Sequence, residues 1–65
     1  MNILVNGKPH AVNATDLSSL LTELGYRNST IATALNGEFI PYNARAGLRL
    51  TEGDRLEIVA PMQGG

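Results

Sequence analysis

Gly64 and Gly65 end the sequence after Ala60-Pro61-Met62-Gln63, and nothing in the surrounding pattern gives them a turn or a helix end to close. The six residues from Ala60 reach about 20 Å when extended, at roughly 3.3–3.6 Å each. Lacking side chains, the last two fit a narrow channel in a partner and leave the final carbonyl carbon unshielded from attack. The terminal carboxylate has a reference pKa of about 3.3–3.7 and is an anion at neutral pH. An anion is a poor electrophile, so acyl chemistry there requires prior activation, for example as an acyl-adenylate made by a partner that binds ATP. The plainer account is a frayed end, since chain termini are often small and flexible.

Other residues offer little competition. Ser18, Ser19 and Ser29 have no base near them in sequence, and the one histidine, His10, follows Pro9 on a presumed edge strand. Nucleophilic catalysis needs a base and a third group that orients it, so His10 reads as a surface residue. The six carboxylates, Asp16, Glu23, Glu38, Glu52, Asp54 and Glu57, are spread along the chain and read as solvated. Glu52-Gly53-Asp54 lacks the ligand count of a calcium loop. With one lysine, Lys8, and no glycine-rich loop opening a helix, no phosphate cradle is present. No metal and no bound cofactor are expected, and ATP enters only as the co-substrate of a partner.

At 65 residues the chain is one domain with a thin core. Small scaffolds usually add a disulfide or a metal. Without cysteine there is neither a disulfide framework nor a zinc-thiolate site, so packed secondary structure must suffice. No apolar run approaches the roughly 18 residues of a membrane span, and Met1-Asn2-Ile3-Leu4-Val5-Asn6 lacks the basic start of a signal peptide. Five basic and six acidic residues, with a formal charge of -1, give no basic stripe for nucleic acid. The expected location is the cytoplasm.

The elements that must hold the tail are legible. Met1 to Val5 reads as a strand, Asn6-Gly7 as a type I′ turn, and Lys8 to Val12 as a return strand that Pro9 confines to a sheet edge. Thr15 or Asp16 caps a helix whose Leu17, Leu20, Leu21 and Leu24 share one stripe and which Gly25 closes. Ile31 to Leu35 is a third strand. A second Asn-Gly turn at Asn36-Gly37 leads to Glu38-Phe39-Ile40, which stops at Pro41. Asn43 to Gly47 is expected to be loop, and Leu48 to Leu50 a short strand or a bend. Arg55 to Val59 alternates as a last strand. The order predicts an α+β layer pair: a mixed sheet of four to five strands, one crossing helix, and the first and last strands parallel at the centre. Leu17, Leu20, Leu21 and Leu24 should meet Ile3, Val5, Leu56 and Ile58. Residues 1–59 form the domain and 60–65 a flexible C-terminal Gly-Gly tail. Val59 should face the other side of the sheet together with Leu4, and Phe39 or Met62 would extend that apolar spot into a docking patch.

Val5-Asn6-Gly7, Leu20-Leu21-Thr22-Glu23-Leu24-Gly25, Ala34-Leu35-Asn36-Gly37-Glu38-Phe39-Ile40-Pro41 and Glu52-Gly53-Asp54-Arg55-Leu56-Glu57-Ile58-Val59, with the Gly64-Gly65 end, resemble the sulfur carriers of thiamin biosynthesis, the ThiS family. The resemblance covers essentially the whole chain and implies a ubiquitin-like β-grasp fold. It also implies a cycle. Gln63, Gly64 and Gly65 enter an E1-like enzyme, which adenylates the carboxylate of Gly65. Sulfur from a cysteine-desulfurase persulfide then displaces AMP and leaves a thiocarboxylate, which thiazole synthase consumes. The chain itself would be a carrier, not an enzyme. One departure is Tyr42, where many relatives carry a basic residue; Arg45 is expected to take over that charge.

Three other readings share the fold. The small subunit of molybdopterin synthase ends in the same way, though its chains tend to be longer. A ubiquitin-like modifier would join Gly65 to a lysine of a target. A passive β-grasp binding module would have no use for the tail.

Overall fold

The computed structural model describes residues 1–26 and 30–60. Its framework begins at the first Asn-Gly pair. Asn6 and Gly7 both take positive φ, 51° and 84°, the backbone a type I′ turn requires. The turn folds β1 (Asn2–Val5) antiparallel onto β2 (Lys8–Ala11). Asn36 and Gly37 repeat the conformation at 52° and 87° and join β3 (Ala32–Leu35) to β4 (Glu38–Ile40). The last strand, β5 (Arg55–Val59), lies between the two hairpins, parallel to β1 and antiparallel to β3. The sheet order is β2-β1-β5-β3-β4. It has five strands and is mixed, with the first and last strands parallel and Pro9 on an edge strand, as the sequence led us to expect.

The single α-helix among the described residues, α1 (Leu17–Glu23), crosses one face. At seven residues it is too short to be stable alone, so its caps and its packing must form it. Asp16 is the cap: its Oδ2 accepts the Ser19 amide at 3.0 Å and its Oδ1 the Ser19 hydroxyl at 2.7 Å. Gly25 ends the helix at φ 91°. Its amide donates to Thr22 O at 3.0 Å and that of Tyr26 to Leu21 O at 2.9 Å, the paired bonds of a Schellman motif. Leu17, Leu20 and Leu21 are fully buried, and Leu24 packs at the margin. They meet Ile3, Val5, Leu56 and Ile58, joined by Val12, Leu35, Ile40 and Leu50.

The connection from β4 to β5 departs from expectation at one point and decides between two alternatives at another. Pro41 precedes a one-turn 3-10 helix, Tyr42–Ala44, which overlaps the start of the stretch Asn43 to Gly47 read as loop. Leu48 to Leu50 forms no strand; it makes one bridge, Arg49 to Asp16. Its backbone serves the helix entry instead: Leu17 N donates to Leu48 O at 3.0 Å and Leu50 N to Thr15 O at 2.9 Å. Orphan amides at a helix start must find acceptors, and this bend supplies one.

Arg45 overturns a further expectation. It is only 3% exposed. Its Nε donates to Thr33 Oγ1 at 3.2 Å and a terminal nitrogen to Ile31 O at 2.7 Å. Thr33 Oγ1 in turn donates to Ile40 O at 3.0 Å, and the guanidinium carbon lies 5.4 Å from the centre of the Tyr42 ring. Arg45 therefore fastens the 3-10 turn to β3 and has no free charge to offer a partner in place of Tyr42.

Candidate functional site

The chain leaves the sheet from the centre of the fold, because β5 is the middle strand. Its burial alternates strictly, with Leu56 and Ile58 inward and Arg55, Glu57 and Val59 outward. Ile58 is the last buried residue among those described, and Val59 and Ala60 are exposed. On one side Thr33 pairs with Ile58 and Ala32 with Val59. On the other, β1 matches β5 only as far as Val5 opposite Leu56, since the chain turns away at Asn6.

The side chain of Asn6 continues that ladder. Its backbone amide donates to Leu56 O at 2.8 Å. Its Oδ1 accepts the Ile58 amide at 2.8 Å, and its Nδ2 donates to Ile58 O at 3.2 Å. Asn36 does the same work at the other end of the strand. Its backbone amide donates to Arg55 O at 2.7 Å, its Oδ1 accepts the Arg55 amide at 2.9 Å, and its Nδ2 donates to Asp54 Oδ1 at 3.0 Å. The sequence marks both asparagines as turn formers. It gives no sign that their side chains reach β5, because those contacts span 52 and 19 residues.

Gln63, Gly64 and Gly65, the expected working end, lie outside the described residues, as does Met62. Leu4, Phe39 and Val59 do lie on the sheet face away from the helix, but they do not form one spot. Leu4 is half-buried opposite Arg55, several rungs from Val59, which stands opposite Ala32. Phe39 stands opposite Ala34. The result is a shallow depression lined by Ala32, Ala34, Phe39, Glu57 and Val59, with Asn6 at its margin. Phe39 is 65% and Val59 64% exposed, unusually open for large apolar side chains sharing one patch.

The other candidates take structural roles. His10 is half-buried on β2 opposite Ile3, and the described residues hold no group of His, Cys, Asp or Glu able to bind a metal. The carboxylates are less idle than their spread suggests. Glu23 accepts the amides of Asn13 and Ala14, at 3.1 and 2.9 Å, and Glu52 that of Asn2 at 2.8 Å. Asp54 accepts the Thr51 amide at 2.7 Å. Backbone amide and hydroxyl bonds from Ser19 hold the Asp16 carboxyl below its ordinary pKa. Among the described residues no helix is long and apolar enough to cross a membrane.

Comparison with known proteins adds a pattern that runs along the chain to its last residue. A family model described as the ThiS family matches residues 3–65. The sulfur carrier protein ThiS of Thermus thermophilus is 33% identical over 63 residues, covering 97% of this chain and 98% of that one. A thiazole synthase of Paramagnetospirillum magneticum is 35% identical over 66 residues, and there the chain spans only 20% of the relative's length. The crystal structure of the thiamine biosynthesis protein ThiS from Geobacter metallireducens superposes with a TM-score of 0.84 at 32% identity, covering all of both chains. An NMR structure of a thiamine biosynthesis protein from the same organism gives 0.83 at 32%, covering 100% of this chain and 88% of that one.

Proposed function

The chain belongs to the ThiS family, and from that premise we propose that it carries sulfur for thiamin biosynthesis as a thiocarboxylate on Gly65. The observation that carries this reading is the extent of the family match, which runs through Gly64-Gly65 and so includes residues no core needs. The β-grasp body then serves as a handle. It presents β5 from its centre and leaves the chain beyond Ala60 to enter a partner.

The chemistry starts from the carboxylate. Its oxygen attacks the α-phosphorus of ATP in an E1-like enzyme, a C–O–P linkage forms and pyrophosphate leaves. The acyl carbon is now electrophilic. The terminal sulfur of a persulfide, formed by a cysteine desulfurase, attacks it, a C–S bond forms and AMP departs. A thiol then cleaves the S–S bond, takes the donor sulfur into a disulfide and releases the thiocarboxylate. Because the chain has no cysteine, it supplies no thiol that could compete in these exchanges. Catalysis belongs to the partners, and the chain acts as their co-substrate. Thiazole synthase is the natural acceptor, since a protein of that name contains a segment similar to this whole chain. The apolar depression around Val59 and Phe39 is the proposed docking surface, with the cytoplasm as the setting in which ATP and these enzymes meet.

The test uses the tail. Adding one residue after Gly65 moves the carboxylate by about 3.5 Å, and a misplacement of about 1 Å can cost roughly 100-fold in rate. Gly64→Val adds a β-branched side chain that a narrow channel should reject. Both proteins should fold with stability within about 0.5 kcal/mol of the parent, yet show no pyrophosphate exchange and no oxygen-to-sulfur mass shift. Normal thiocarboxylation of either would overturn the carrier reading in favour of a passive β-grasp module. Recovery of Gly65 in an isopeptide bond, with no free thiocarboxylate, would instead indicate a protein modifier.

A further inference from the structure

β5 receives hydrogen bonds from both flanking strands, but its two ends are held differently. At its start, Arg55 is preceded by the Thr51–Asp54 turn, which is closed by the Asp54 amide on Thr51 O at 3.0 Å and the Thr51 amide on Asp54 Oδ2 at 2.7 Å. That end is anchored by its own turn as well as by Asn36. At its finish, no main chain of β1 reaches Ile58, and the Asn6 carboxamide stands in for the missing residue. It contributes one acceptor and one donor to the two backbone groups of Ile58. Beyond Ile58, Val59 pairs with Ala32 on the β3 side, and among the described residues no strand pairs with it on the other.

A strand bonded on both sides has its direction fixed in the sheet plane, whereas a strand bonded on one side can swing about that edge. We propose that Asn6 is a positioning residue for the reaction at the tail: its carboxamide, by bonding both backbone groups of Ile58, sets the direction in which Val59 and Ala60 leave the sheet. This rests on the carrier reading above. From Ile58 to Gly65 the chain has seven further residues, about 23–25 Å at full extension. Where a partner's channel holds those residues extended against the docked body, a swing of a few degrees at Ile58 displaces the carboxylate by about 1 Å over that length. The body still docks through Phe39 and its surroundings, but the carboxylate arrives off line. The loss should thus fall on kcat for adenylation and leave KM for the carrier nearly unchanged.

The second asparagine supplies the matched control. Asn36 has the same backbone conformation, and its Oδ1 likewise accepts an amide of β5, that of Arg55, at the end away from the tail, while its Nδ2 donates to the Asp54 side chain and not to the strand. Glycine tolerates positive φ, so Asn6→Gly and Asn36→Gly each remove one carboxamide and keep the turn. Pyrophosphate exchange would be measured with the purified E1-like enzyme of the same genome, below the melting temperature of every variant. Amide exchange at Val59 and Ala60 would be monitored by NMR. Asn6→Gly should lower kcat about 10- to 100-fold with KM within twofold, and should speed amide exchange at Val59. Asn36→Gly should leave kcat within twofold. If Asn6→Gly does not fold, Asn6→Asp tests the donor half of the contact: it keeps the Oδ1 acceptor and sets a carboxylate oxygen against Ile58 O in place of the donor, so kcat should fall in the same direction. Equal kcat losses in the two glycine variants, a normal kcat in Asn6→Gly, or a loss confined to KM would each overturn the positioning role. A wild type that supports no exchange sinks the carrier reading; a wild type that exchanges while the paired variants behave alike sinks only the role of Asn6.

Discussion

The two faces of the sheet are made from the same five strands, often from adjacent residues, and are built for different ends. Toward the helix stand Ile3, Val5, Leu35, Leu56 and Ile58, all buried, with the polar Thr33 satisfied by Ile40 O and Arg45. Away from it stand Leu4, Ala32, Ala34, Phe39, Glu57 and Val59, with no element laid over them among the described residues. A chain of this size has one helix to cover one face, and its thin core is spent there. The other face is left with Ala32 and Ala34, the half-buried Leu4, the charged Arg55 and Glu57, and two open apolar side chains, Phe39 and Val59. Small residues at Ala32 and Ala34 keep the surface flat beside Val59 and Phe39, which suits a partner that must come close to the strand from which the tail departs.

The largest expected effect separates the faces directly. Leu56 is 1% exposed at the centre of the sheet, and Leu56→Ala should cost about 2–5 kcal/mol. A small domain has roughly 5–15 kcal/mol in all, and this one sits at the low end by size, so a large share of its stability goes. Val59→Ala, three residues along the same strand, should shift stability by no more than about 0.5 kcal/mol. Urea titrations of the two proteins would decide. Similar losses would mean that the open face is structural and that the division is wrong.

A second expected effect runs the other way. Val59→Asp places a charge in the apolar depression and leaves the core untouched. Adenylation should weaken about tenfold in kcat/KM, close to 1.4 kcal/mol, while the melting temperature stays near that of the parent. Phe39→Ser should act in the same direction. Leu4 tests the boundary of the patch: it sits opposite Arg55, away from Val59, so Leu4→Ser should affect activation less than either. Unchanged adenylation kinetics in Val59→Asp would remove the open face from the docking argument altogether.

The covered face was the more legible of the two. Its residues announce themselves by period: Leu17, Leu20, Leu21 and Leu24 on the helix, Leu56 and Ile58 on the last strand. Both hairpins could be read from Asn-Gly pairs, whose positive φ few other residues accept. What stayed hidden depends on side chains that cross long stretches of sequence. Arg45 looked like a surface charge, because arginine is seldom buried; only the fold brings Thr33 and Ile31 O within its reach. The Asn6 carboxamide is a case of the same kind, since a turn former advertises its backbone and not its side-chain partner. Leu4 and Val59 were rightly put on one face, but face depends on parity alone, whereas proximity depends on register. The tail was legible in a different sense: Gly64 and Gly65 drew notice because nothing local explains them.

The smallest expected effect concerns the cap that lets the covered face form at all. Asp16 is half-buried, and its carboxylate accepts the Ser19 amide and hydroxyl, which lowers its pKa from the ordinary 3.8. A carboxyl whose pKa is lower folded than unfolded binds protons more readily in the unfolded chain. Its stabilising contribution is therefore complete at neutral pH, begins to fade as pH falls toward 3.8, and is gone below the folded value. Asp16→Ala should lower the melting temperature modestly at pH 7. The gap between parent and variant should close on acidification through the range below 3.8. The variant also discriminates between the faces, because α1 at seven residues depends on its ends as well as on its leucines. Weakening the cap should loosen the covered face while adenylation by the folded fraction stays normal. A melting-temperature gap unchanged between pH 7 and pH 2.5 would show that the Ser19 bonds do not favour the ionised carboxylate. A fall in kcat at full folding would show that the two faces are coupled through the helix and not independent.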